Sequence, residues 1–229
     1  MFNYNRFGKY GNLLEKLEPK LRKWANLTGE PKYLGGGTQG KAFRYGDKTL
    51  KITNDQLEVN TCAHLKSLGN KHPNIYKIYN VGKFNLNIDP LVNTGDGYIY
   101  FVVYEYLNKP TEEMKEVVNE YHADLNWDFV PSEIRSDKKF LDNIYKNATN
   151  DLGEKYAKYA VQAFSAAKYL WDNGITSKKG KIWNDWGENN IASRGDDLVL
   201  IDVGYSLSPK GEVETLEEII RRVIKQEVI

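Results

Sequence analysis

The chain is poor in the residues that make cages and cross-links. Among its 229 residues there is one cysteine, Cys62, and there are three histidines, His64, His72 and His122. A single cysteine excludes an internal disulfide, and no CxxC or HExxH spacing is present, so a zinc cage is excluded too. That usage fits a reducing compartment, and a cytoplasmic location is expected. Charge of one sign is also lacking. With 32 Lys and Arg against 31 Asp and Glu, the formal charge is +1, so no global field draws nucleic acid or an anionic membrane, and either partner would need a local patch. No apolar run approaches the ~18 residues of a membrane span, and the opening MFNYNRFGKYGN lacks the apolar centre of a secretory leader. A soluble protein without a membrane partner is expected.

What remains is the composition of a globular protein: 41% hydrophobic, 13% aromatic and 28% charged residues, enough for one large domain or two lobes. There is no internal repeat and no low-complexity tract. Residues 1–29 carry Leu13, Leu14, Leu17, Leu21 and Trp24 at helical spacings, with Pro19 expected to interrupt them. From Lys32 to about Tyr106 the pattern turns to short strands around one helix. Lys41–Tyr45 and Lys48–Thr53 flank Gly46-Asp47, a two-residue hairpin signal, and Tyr76–Phe84 and Tyr98–Tyr106 form a second pair. Between the pairs, Leu57, Thr61, Leu65 and Leu68 repeat at three and four before Gly69, which predicts a helix with a glycine stop. After Pro110 the pattern is mainly helical. Thr111 caps a stripe of Met114, Val117, Val118 and Tyr121. Residues 123–150 give no clear period, whereas a single long core helix is expected from about Asp151 to Asn173. Asn190–Ala192 and Leu198–Ile201 read as a hairpin around Arg194–Asp197, and a last helix is expected from a Thr215/Glu218 capping box.

Three local signals carry chemistry. The first is a GxGxxG at Gly35, Gly37 and Gly40, followed by Lys41-Ala42. Glycines let backbone amides approach phosphate oxygens, and strand residues follow on both sides of a turn, so this is a loop between antiparallel strands and not the start of a Rossmann helix. The second is Lys51, one strand further on, with Glu58 in the next helix as a carboxylate able to hold it. The third is the run Trp183-Asn184-Asp185-Trp186-Gly187-Glu188-Asn189-Asn190, followed after a hairpin by Asp202-Val203-Gly204. A carboxylate, an amide five residues on and a second carboxylate supply a general base and two oxygen ligands for a hard cation, for which magnesium is suited.

In this order the residues resemble the eukaryotic-like protein kinase superfamily, with its aminoglycoside phosphotransferase relatives, over roughly residues 32–206. The resemblance implies an α+β, two-lobed kinase-like fold: a helical extension at 1–29, an N-lobe with an antiparallel sheet at 30–107, and a reduced helical C-lobe at 108–229, truncated after the DFG-like element. It implies that Gly35, Gly37, Gly40 and Ala42 cover ATP, that Lys51 contacts its α- and β-phosphates, and that Glu58 pairs with Lys51. His72-Pro73-Asn74-Ile75 is similar to the HPNI segment after the regulatory helix. Val102–Leu107 resembles the strand entering the hinge, with Tyr104 as gatekeeper and the backbones of Glu105 and Leu107 on the adenine edge. Asp185 falls on the catalytic aspartate, Asn190 on the metal-binding asparagine, and Asp202-Val203-Gly204 on the DFG element. The implied activity is transfer of the γ-phosphoryl of ATP, with Mg2+, to a hydroxyl: a protein serine/threonine kinase first. The alternatives are a small-molecule kinase, or a pseudokinase serving as a nucleotide-responsive binding module.

Some positions depart from the family pattern. Trp183 and Asn184 replace the His and Arg of the HRD triplet, which leaves no receptor for a phosphorylated activation loop, so activity without that switch is expected. Gly187 stands where protein serine/threonine kinases carry a lysine. Only 25 residues follow Gly204, too few for the usual peptide-docking elements, an expectation that bears on the acceptor.

Overall fold

The computed structural model describes residues 8–36, 40–85, 98–121, 137–175 and 187–202. Gly37, the run Trp183–Trp186 with Asp185, Val203-Gly204 and the Thr215 helix lie outside the described residues. The described residues fall into two compact units, one of 8–66 with 77–106 and the other of 67–76 with 107–202.

The first unit begins with α1 (Gly8–Ala25), which runs through Pro19 where an interruption was expected. A proline inside a helix costs about 3 kcal/mol in a lost hydrogen bond and a clash. Burial offsets it. Leu14, Leu17, Leu21 and Ala25 are at most 5% exposed and share one core with Phe43, Leu50, Ile52, Phe84, Ile99, Phe101 and Val103, and each large side chain so buried contributes about 1.5–3 kcal/mol. The last turn of α1 is fastened by a cation: Lys48 Nζ donates to the carbonyls of Ala25 at 2.9 Å and Asn26 at 3.0 Å. A lysine at a helix C-terminus satisfies orphan carbonyls and complements the dipole.

Five strands follow, β1 (Lys32–Gly36), β2 (Gly40–Tyr45), β3 (Lys48–Thr53), β4 (Ile78–Asn85) and β5 (Tyr98–Glu105), with α2 (Gln56–Ser67) between β3 and β4. They form one sheet of order β1-β2-β3-β5-β4, antiparallel throughout. Strand alternation assigns its faces. Phe43, Leu50, Ile52, Phe101 and Val103 point into the α1 core, so Ala42, Lys51 and Val102, which are cross-strand partners in one row, lie on the opposite face. The next row on that face is Arg44, Thr49 and Tyr104.

In the second unit, α3 (Glu112–Glu120) is capped by Thr111, whose hydroxyl accepts the Met114 N–H, and it buries Met114, Val117 and Val118. The long helix expected from about Asp151 to Asn173 is present as α5 (Glu154–Asp172), and it is preceded by a further helix, α4 (Asp137–Leu152), in a stretch without a clear period in its sequence. Gly153 divides them. At φ 95° it adopts a backbone that favours glycine, and its N–H closes α4 on the carbonyls of Ala148 and Thr149. The apolar period of α5 buries Ala157, Ala160, Ala163, Phe164, Ala167 and Leu170. A 3-10 turn (Glu188–Asn190) leads into the hairpin of β6 (Ile191–Arg194) and β7 (Asp197–Leu200). Among the described residues, no helix is long and apolar enough to cross a membrane.

Candidate active site

Each unit carries part of the expected constellation. In the first, β3 ends at Thr53 and α2 begins at Gln56. The turn is this tight because side chains do the capping: Thr53 Oγ1 accepts the Asp55 N–H at 3.1 Å, and Asp55 Oδ1 accepts the N–H groups of Leu57 at 2.9 Å and Glu58 at 3.2 Å. Asp55 is therefore the N-cap, and Glu58 sits in the first turn, where a carboxylate is favoured by the helix dipole. Its carboxylate reaches back to the sheet. Lys51 Nζ and Glu58 Oε1 are 2.6 Å apart, with side chains 17% and 4% exposed. The short span from Lys51 to Glu58 is compatible with this pair because only Asn54 and Asp55 connect the strand to the helix.

Two glycines of the first signal have distinct backbone reasons. Gly35 has φ 151°, a backbone that favours glycine, and among the described residues nothing lies within 4 Å of where a Cβ would stand. A Cβ on Gly40 would lie 2.5 Å from the Ile52 carbonyl, so this glycine lets β2 approach β3 closely. Ala42, two residues on, lies directly across from Lys51.

At the end of β5 the backbone donors point to successive partners. Glu105 N–H donates to Lys77 O at 3.0 Å, Tyr106 N–H to Asp47 O at 2.8 Å, and Asn108 N–H to Ser193 O at 3.1 Å. Leu107 N–H has no partner among the described residues. The Glu105 side chain is turned inward, its Oε1 accepting Lys77 N–H at 2.7 Å, which orders the strand end where a base edge is expected.

In the second unit, the hairpin register decides the placement of the expected metal ligands. Ile191 pairs with Leu200, and one step further Ile201 N–H donates to Asn190 O at 2.8 Å. Asn190 and Asp202 thus flank the open end of the same hairpin. Asp202 has φ 55°, a left-handed conformation that aspartate tolerates better than most residues and that breaks its course from β7. An amide oxygen and a carboxylate are hard donors that suit magnesium. No group of three or more His, Cys, Asp or Glu that could hold a metal occurs among the described residues.

Sequence reasoning flagged His72–Ile75 as a motif and missed what it binds. Asn74 is buried, and its Nδ2 donates to Leu198 O at 2.8 Å. Leu200 N–H donates to Asn74 O at 2.8 Å, and Tyr76 N–H to Leu200 O at 3.2 Å. Arg194 donates to the carbonyls of Pro73 and, at 3.3 Å, Ile75. His72 Nδ1 accepts Asn74 N–H at 3.2 Å, which leaves Nε2 as the protonated nitrogen that donates to Ser165 Oγ at 3.1 Å. Burial holds the His72 pKa down, at about 4, so the ring is neutral at pH 7. The far side of the hairpin is tied to α5. Gln162 donates to Asp197 Oδ1 at 2.7 Å and accepts Leu198 N–H at 2.9 Å, and Lys158 lies 2.9 Å from Asp196 Oδ2 and 3.1 Å from Asp197 Oδ1. Hydrogen bonds from Lys158 hold both carboxyls below the usual range. The hairpin bearing Asn190 and Asp202 is braced on both sides.

An antiparallel sheet with one helix inserted after β3, a β3 lysine paired with that helix, and then helices and a hairpin ending at an aspartate make up the α+β protein kinase-like fold. A scan of family models and a search of curated proteins give no match. Among solved structures, the chain is similar to the streptomycin-ATP-APH(2")-IIa ternary complex, at 16% identity over 92% of this chain and 80% of that one, with a TM-score of 0.36. It is also similar to aminoglycoside phosphotransferase APH(4)-Ia, at 11% identity, 93% and 82% coverage and a TM-score of 0.42. A third is the GDP complex of aminoglycoside 2'-phosphotransferase-IIIa, at 18% identity, 88% and 74% coverage and a TM-score of 0.40. At these identities and TM-scores, the reading of the site rests on its own residues.

Proposed function

We propose that the chain is an ATP-dependent phosphotransferase that moves the γ-phosphoryl of ATP to a hydroxyl group of a small molecule. The observation that carries this is the Lys51–Glu58 pair, 2.6 Å apart and mostly buried on the sheet face that also bears Ala42. An isolated strand lysine has no reason to be desolvated, whereas one held by a helix carboxylate keeps its ammonium fixed for the α- and β-phosphates. In this reading the amides of Gly35, Gly37 and Gly40 approach the phosphates, Ala42 packs on the base, and the backbones of Glu105 and Leu107 bond its edge. Asn190 and Asp202 hold magnesium, which when bound neutralises charge on the phosphate oxygens. Asp185 orients the acceptor hydroxyl and takes its proton as the acceptor oxygen bonds to Pγ. The bond from Pγ to the β–γ bridging oxygen breaks, and ADP leaves. No covalent enzyme intermediate is needed, so catalysis is placement and charge compensation.

Gly187 favours the small acceptor. Protein serine/threonine kinases, by resemblance, carry a lysine there; here the residue after the catalytic stretch has no side chain, an extended backbone of φ −165° and ψ 163°, and a carbonyl engaged by Asn190 N–H at 2.9 Å. The test is transfer of labelled γ-phosphate from Mg-ATP to a panel of polyols and amino sugars, including aminoglycosides, and separately to the protein and a soluble extract, with Asp185→Ala alongside. Labelled small molecules that vanish with Asp185→Ala support the proposal. Labelled protein bands would move the acceptor to a protein hydroxyl, and ATP binding with no transfer to any acceptor would leave a binding module.

A further inference from the structure

Arg44 and Tyr106 stack at one end of the sheet in the first unit. Arg44 is opposite Thr49 on β3, and Thr49 is opposite Tyr104 on β5, so Arg44 stands on the face that bears Ala42 and Lys51. Two residues past Tyr104, the Tyr106 ring lies under the guanidinium, with Arg44 Cζ 3.7 Å from the ring centroid. The edge of the same guanidinium is also engaged: Nε donates to Gly46 O at 2.8 Å. Asp47, the next residue of that turn, accepts Tyr106 N–H at 2.8 Å. One side chain therefore holds the β2–β3 turn by its edge and the Tyr106 ring by its face, and the turn holds the Tyr106 amide. Planarity makes this double use possible, which an ammonium could not reproduce.

Tyr106 lies between Glu105 and Leu107, the two residues whose backbones meet the base in the reading above. Glu105 N–H is already committed to Lys77 O at 3.0 Å, and Leu107 N–H has no partner among the described residues. We propose that Arg44 is a positioning residue for the nucleotide base: through its stack on Tyr106 and its hold on the Gly46-Asp47 turn, it sets the backbone edge that Glu105 and Leu107 offer to the ligand. The inference rests on the nucleotide-binding reading, and it separates the two ends of the ligand. Lys51 and the glycines act on phosphates, whereas Arg44 acts on the base.

The test is a displacement titration of the full chain with a fluorescent ATP analogue, using ATP and inorganic tripolyphosphate as competitors. Loss of this cation–π stack, whose two side chains are half-buried, in Arg44→Ala is expected to weaken ATP about three- to fivefold while leaving tripolyphosphate unchanged. Tyr106→Ala should match it, the double variant should be no worse than either single one, and Tyr106→Phe, which keeps the ring face, should restore wild-type affinity. Thermal unfolding of each variant is followed alongside. Equal weakening of ATP and tripolyphosphate would mark a structural effect and overturn the inference, as would unchanged ATP affinity in Arg44→Ala. A wild type that binds neither competitor would overturn the nucleotide reading itself and the role of Arg44 with it.

Discussion

Replacing Glu58 by alanine leaves the Lys51 ammonium on a mostly buried face without the carboxylate that meets it at 2.6 Å. With an effective dielectric of about 20, the Coulomb attraction at that distance is about 6 kcal/mol, and desolvation of the two ions offsets much of it. The pair as a whole is therefore nearly neutral beside a well-packed apolar substitute, but breaking it is not. Removing one partner of a fully buried pair costs about 3–5 kcal/mol. Lys51 keeps 17% side-chain exposure, so the expected loss for Glu58→Ala is about 2–3 kcal/mol, read from urea unfolding followed by circular dichroism. The double variant Lys51→Met with Glu58→Leu is expected to return to within about 1 kcal/mol of wild type while failing to bind ATP. A Glu58→Ala loss below about 0.5 kcal/mol, the range of ordinary surface substitutions, would refute the reasoning, as would a double variant no more stable than the single one.

Asn74→Ala removes the buried donor of the Leu198 carbonyl, 2.8 Å away. It is expected to destabilise the chain by about 1–3 kcal/mol in the same unfolding assay, and a loss near zero would mean that solvent replaces the amide. His72 gives a pH dependence with a definite sign. Its folded pKa, about 4, lies below the ordinary 6.5, so as pH falls through that window the unfolded chain takes up a proton that the folded chain refuses. The stability it contributes is fully present above about pH 6.5 and declines toward about pH 4. Unfolding midpoints measured across this window should fall more steeply for wild type than for His72→Gln, and parallel slopes would count against it.

The parts of the fold that were legible in the sequence are those set by neighbours along the chain. Gly46-Asp47 turns β2 into β3, Thr111 caps α3 and Gly195-Asp196 turns β6 into β7, because turn and cap chemistry is decided within a few residues. Strand alternation likewise assigns Lys51 to the face opposite Leu50 and Ile52, and the hairpin period brings Asn190 and Asp202 to one end of β6–β7. Where local chemistry and packing compete, the pattern misled. Pro19 argues for a break that burial of Leu14, Leu17 and Leu21 overrides, and an apolar period read from Leu152 starts the long helix just before Gly153, where the backbone sets its start at Glu154. The bracing of the site had no local signal at all. Asn74 meets Leu198 across 124 positions of sequence, and Arg194 meets Pro73 across 121. Such bonds leave no periodicity, because their energy exists only once chain closure has brought the partners together and burial has removed the water that would otherwise satisfy them.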